Sequence, residues 1–126
     1  MPAMKLLPTG SSGPMPTRTA LLLLALAGCA TAAAPPVWVA RPLGTLQCEP
    51  PGPRTPKVLA QALRDAGVTV SAEACGHDGR MRPAVCGAPD GRLALAQIPG
   101  DQLTRARTLG WVPLSEMPDA QRLACD

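Results

Sequence analysis

Residues 63–68 read Leu-Arg-Asp-Ala-Gly-Val, and residues 106–111 read Ala-Arg-Thr-Leu-Gly-Trp. Each is the pattern of a helix end running into a strand: a glycine takes the left-handed position that closes a helix, and an apolar residue follows. Upstream of the first copy, Thr55 is an N-cap with Pro56 at the first helical position, and Val58, Leu59, Ala62, Leu63 and Ala66 share one helical face. Downstream of it, Val68, Val70 and Ala72 alternate with Thr69, Ser71 and Glu73, the period of a half-buried strand. Around the second copy, Leu93 to Ile98 is apolar apart from Gln97, as a central strand would be. Asp101 is the expected N-cap of a short helix carrying Leu103, Ala106 and Leu109. Trp111 to Leu114 is the last strand, confined by Pro113 to a sheet edge because proline cannot donate to a ladder.

With Thr45 to Cys48 as a short first strand, the elements run β-α-β-β-α-β. Two successive units of this kind predict an α+β fold, a small two-layer ferredoxin-like sandwich with spatial strand order 4-1-3-2, occupying residues 45–126. In that order the fourth strand is an edge, in agreement with Pro113. A domain of this size buries only about 60–65% of its unfolded surface. This one has no Phe and no Tyr, and only Trp38 and Trp111 supply large aromatic burial. Its core must rest on Leu, Val, Ala and covalent cross-links.

Before the domain lies a segment of different character. From Met15, one cation (Arg18) precedes an apolar run from Ala20 to Ala27, the n-region and h-region of an export signal and too short to span a bilayer. The run ends in Leu26-Ala27-Gly28-Cys29, which resembles the lipobox of bacterial prolipoproteins at all four positions. That resemblance covers residues 15–29. It implies a thioether-linked diacylglycerol on Cys29 and cleavage after Gly28, so that residues 1–28 are a signal peptide and the chain is held to a membrane by its lipid. Ala30, rather than Asp, follows the cysteine and implies the outer membrane, facing the periplasm, if the cell is Gram-negative. An ordinary signal cut after Ala32 or Ala34 is the alternative and gives a soluble periplasmic or secreted protein. Met1, Met4 and Met15 are three candidate starts. Residues 29–44, rich in Ala and Pro, read as an extended tether in which Trp38 docks on the domain.

The net charge of +3 is not a nucleic-acid footprint. Lys5 and Arg18 belong to the removable segment and every acid lies beyond Cys29, so ten cations against nine acids leave the exported chain near +1. Its expected partners are the membrane, through Cys29, and an envelope protein or anionic ligand.

Four further cysteines, Cys48, Cys75, Cys86 and Cys125, form an even set in a small exported chain and predict a disulfide framework with three connectivities. Topology favours Cys75 with Cys86, stapling the connection between two strands, and Cys48 with Cys125. Between them, Cys75-Gly76-His77-Asp78-Gly79-Arg80 is echoed by Cys86-Gly87-Ala88-Pro89-Asp90-Gly91-Arg92. The Asp-Gly pairs predict two type I′ turns. His77, Arg80, Arg82 and Arg92 would then sit on one rigid loop, the candidate binding surface. A metal or redox site of Cys75, His77 and Cys86 is the alternative, and it requires free thiols. Ser71 and Ser115 lie in no nucleophile motif. The expectation is therefore a non-enzymatic envelope lipoprotein that needs no cofactor.

Overall fold

The computed structural model describes residues 33–125 continuously, and before them only Met4, Gly10, Ser12, Gly13 and Gly28. Cys29 and the signal segment from Met15 to Ala27 lie outside the described residues. The chain divides into two units, and every element belongs to the second, Ala32–Asp126.

Helix α1, Pro56–Asp65, begins as its sequence dictates: the Thr55 hydroxyl accepts the Val58 N–H at 3.2 Å. It ends in a Schellman motif. Gly67, at φ 86°, donates to the Arg64 carbonyl at 2.9 Å, and Val68 donates to Leu63 at 3.1 Å. Helix α2, Leu103–Thr108, ends identically, with Gly110 at φ 87° donating to Arg107 at 3.0 Å and Trp111 to Ala106 at 3.1 Å. The start of α2 differs from expectation. Asp101 lies within a 3-10 turn, Gly100–Gln102, and Gln102 holds the cap position without capping the helix, its amide bonding Thr69 instead.

The strands are β1 (Pro36–Pro42), β2 (Ala72–His77), β3 (Arg92–Pro99), β4 (Val112–Pro113) and β5 (Gln121–Leu123). They form one antiparallel sheet in the order β4-β1-β3-β2-β5. The fold is thus a small α+β domain, and the four-stranded ferredoxin-like sandwich expected from the sequence is corrected to a five-stranded sheet. The order 4-1-3-2 recurs in the first four strands, with β4 and Pro113 at an edge, while β5 adds to the far side of β2.

Two strand positions are also corrected. The first strand is Pro36–Pro42, inside the segment read as tether, whereas Thr45–Cys48 contributes only an isolated bridge between Leu46 and Pro89. Of the prolines that gave this stretch the look of a linker, Pro35 precedes β1, and Pro36 and Pro42 stand at its first and last positions, where a missing N–H costs the ladder least. The second strand starts four residues later than the alternation predicts, at Ala72, although Val68 is buried in the core and Val70 packs against it.

Alternate residues of β1 and β3 enter two clusters. Val39, Ala94, Ala96 and Ile98 pack under the helices with Leu59, Leu63, Ala106 and Trp111. On the helix-free face, Ala40, Leu93 and Leu95 are covered by Trp38, Leu114, Met117 and Ala120. The cover is the chain itself. Because β4 and β5 lie at opposite edges, residues 114–120 cross that face as a strap. Arg122 in β5 then stacks over the Trp38 ring, 5.0 Å from its centroid, so Trp38 does dock on the domain.

Two disulfides close the domain, Cys48–Cys86 and Cys75–Cys125, with Cα separations of 5.0 and 5.1 Å. The expected pairing of Cys75 with Cys86 and Cys48 with Cys125 is therefore corrected. Cys75 lies opposite Leu123 across the β2–β5 ladder, which delivers Cys125 to it. Cys86 sits in a connection that folds back on residues 45–48 instead of closing on itself.

The strap makes a specific demand on Gly79, which has φ 73° and lies so close beneath it that a Cβ would come within 1.9 Å of the Asp119 carbonyl oxygen. Gly79→Ala should destabilise by at least about 2 kcal/mol, a melting temperature roughly 10 °C lower. Gly87→Ala, at φ 87° with nothing within 4 Å, carries the backbone penalty alone and should cost about 1 kcal/mol. Equal melting temperatures for the two variants would contradict a strap seated on Gly79.

Candidate functional site

The Asp-Gly-Arg echo proves to have one physical meaning at both ends of a single connection. Asp78 accepts the N–H of Arg80 at 3.1 Å, and Asp90 accepts the N–H of Arg92 at 3.0 Å. Each is an aspartate folding the chain onto its own carboxylate, with Gly79 and Gly91 at positive φ beside it. The pairs are not the tips of two type I′ hairpins. They are the entrance and exit of the 78–91 connection, joined by the Asp78 N–H donating to the Gly91 carbonyl at 2.9 Å.

Between those ends the connection is laced to residues 45–48. The Gln47 amide donates to Pro83 and Pro89 carbonyls at 3.1 and 3.3 Å and accepts the Val85 N–H at 3.2 Å. Thr45 donates to Asp90 at 2.8 Å, and the Cys48–Cys86 bridge adds a covalent tie. A loop with so many internal bonds is pre-organised, yet it presents Met81 and Val85 to solvent.

The structure brings Arg80, Arg82 and Arg92 around one small cavity of about 220 Å³. It does not leave them equivalent. Arg82 forms a bidentate pair with Asp78, at 2.8 and 2.6 Å, and Asp78 is buried. With Asp90 also in the lining, the cavity is close to electrically balanced. Arg80 remains exposed. His77 is occupied on both ring nitrogens: Nε2 lies 3.0 Å from the Asp90 carbonyl, which can only accept, so it carries the proton, and Nδ1 accepts the Gly79 N–H at 3.0 Å. Gly91 is bare because a Cβ there would meet Arg82, Asp78 and His77 within 2.8 Å.

The alternative site of Cys75, His77 and Cys86 is not assembled. Both thiols are consumed in disulfides with other partners, and no group of three His, Cys, Asp or Glu suited to a metal exists among the described residues.

A larger cleft, of about 420 Å³, opens elsewhere, between the start of α1 and β2. Its lining includes Leu43, Arg54, Lys57, Ala74 and the Cys75–Cys125 bridge. Sequence reasoning missed it. Arg54 sits in a Pro-rich loop and Lys57 in the first turn of α1, and no motif joins them to residues 18 positions further on.

The ion pair at Asp78 has a consequence in acid. Hydrogen bonding from Arg82, opposed by burial and assisted by the Arg80 N–H, holds the Asp78 carboxyl down to about 2, from an ordinary 3.8. A depressed carboxylate contributes stability that is present above its unfolded value and lost as pH falls through the folded one. Stability should therefore decline between about pH 4 and pH 2, with Asp78 contributing on the order of 1 kcal/mol after solvent screening. Urea melts of wild type and Asp78→Asn across that range measure it. The variant should be less stable at neutral pH and show a shallower acid slope. Parallel slopes would contradict the assignment.

No protein-family model matches the chain, and neither a curated protein nor a solved structure does.

Proposed function

We propose that the chain is the precursor of a bacterial envelope lipoprotein whose domain is a non-enzymatic binding or structural module. The observation that carries this is the apolar run Ala20–Ala27 ending in Leu26-Ala27-Gly28-Cys29. The two disulfides support it, because such bonds form and persist in oxidising, extracytoplasmic compartments. No helix among the described residues is long and apolar enough to cross a membrane. Residues 1–28 are removed, Cys29 takes the lipid, and the outer membrane is the destination in a Gram-negative cell because Ala30 follows. With β1 starting at Pro36 and the Pro35 carbonyl accepting the Gly100 N–H at 2.9 Å, the tether shortens to residues 30–34, a reach of about 17 Å when fully extended.

The domain itself reads as a ferredoxin-like sandwich extended by β5, with its sheet face closed by the strap. The pre-organised 78–91 loop, with Met81, Val85 and Arg80 exposed, is a surface suited to an envelope protein or an anionic group. A non-enzymatic role fits the engagement of both nitrogens of His77 in backbone contacts.

Intact mass of the protein recovered from envelope fractions tests the reading. The expected species begins at Cys29, carries a diacylglycerol, and contains two disulfides. Cys29→Ser should accumulate as the uncleaved, unacylated precursor. An unacylated wild-type chain starting at Ala33 or Pro35 would contradict the anchor.

A further inference from the structure

We propose that the cleft between the start of α1 and β2 binds a carboxylate carried on an apolar body. At about 420 Å³ it falls within the range of small-molecule sites, roughly 300–1,000 Å³. Its walls are apolar: Leu43, Pro51, Pro56 and the Cys75–Cys125 bridge. Its charge is not balanced. Glu73 lines it, but that carboxylate is paired with Arg64 at 3.5 Å. Arg54 and Lys57 line it as well, and neither has an ion pair or a side-chain hydrogen bond among the described residues.

Arg54 is also placed. Its Nη1 lies 3.0 Å from where a Cβ on Gly44 would stand, and Gly44 has φ 73°. The bare backbone there lets the guanidinium lie over the chain at the cleft wall. A planar guanidinium matches a carboxylate with two parallel hydrogen bonds, and the ammonium of Lys57 adds a second positive charge. Two cations without an ion pair among the described residues, beside an apolar surface, suit one carboxylate on a hydrophobic body better than a polyanion, whose further charges would face Leu43 and the disulfide.

This site deepens the reading of the domain as a binding module and rests on that reading only for the premise that the domain binds something. A free organic acid and the C-terminal carboxylate of a peptide present the same chemistry. The test is an NMR titration of the purified, oxidised full chain with 4-phenylbutyrate and with acetyl-Ala-Ala-Leu ending in a free carboxylate. The neutral matches are 4-phenylbutan-1-ol and the same peptide amidated.

At least one acid should produce saturable shifts at the amides of Gly44, Lys57 and Ala74, with its neutral match at least about tenfold weaker. Saturation by phenylbutyrate alone assigns a free acid, and saturation by the peptide alone assigns a chain terminus. The double variant Arg54→Gln with Lys57→Gln should lose at least about tenfold in affinity while keeping its spectral dispersion, since both side chains are exposed. Equal binding of acid and neutral match, no saturable shift with either acid at millimolar concentration, or undiminished affinity in the double variant would each overturn the proposal. An unacylated chain that still bound the acid would instead overturn the anchor and leave the cleft standing.

Discussion

The strap from Leu114 to Ala120 is the constraint on which the rest of this domain depends. A sheet with helices on one side leaves its other side wet, and here that side carries Ala40, Leu93 and Leu95, all at or below 1% exposure. The crossing of the strap, together with Trp38 and Ala74, buries them. The crossing fixes much else. It brings β5 to the free edge of β2, sets Arg122 over Trp38, and leaves no room for a side chain at Gly76 or Gly79. A three-residue strand exposed along its length would hold such a strap weakly. The Cys75–Cys125 bridge holds it covalently.

The same constraint explains the composition. β3 is buried on both faces, which is why Leu93 to Ile98 reads as a nearly continuous apolar run. Its alanines, Ala94 and Ala96, lie beneath the helices, where small side chains leave room for Leu59, Leu63 and the fully buried Trp111. Such a core is modest for its size. By the chain-entropy relation, bridges spanning 38 and 50 residues contribute about 4 kcal/mol each and differ by only about 0.2 kcal/mol. Two contributions of that size rival the whole net stability of a small domain.

Local chemistry was legible wherever one residue type has one conformational use. Thr55-Pro56, Gly67 and Gly110 marked helix ends correctly because capping is a contact within a few residues. Pro113 marked an edge because a missing donor has the same effect in any sheet. Pairing across the chain was not legible. β1 hid among prolines, and β5 is too short to show a period, so the ladder that carries Cys125 to Cys75 left no trace in the spacing. The candidate site divides in the same way. Arg80 and Arg92 share a cavity because each follows an Asp-Gly pair at one end of the same connection, but that Asp78 neutralises Arg82 depends on how the connection folds. The cleft of Arg54 and Lys57 is assembled wholly by tertiary structure.

Peptide mapping of the oxidised protein without reduction tests the central claim, that the strap is fastened to the sheet by its own disulfide. The account predicts that the peptide carrying Cys125 is linked to the one carrying Cys75, and that Cys48 is linked to Cys86. Linkage of Cys125 to Cys48 or Cys86, or a free thiol at Cys125 in folded protein, would contradict it.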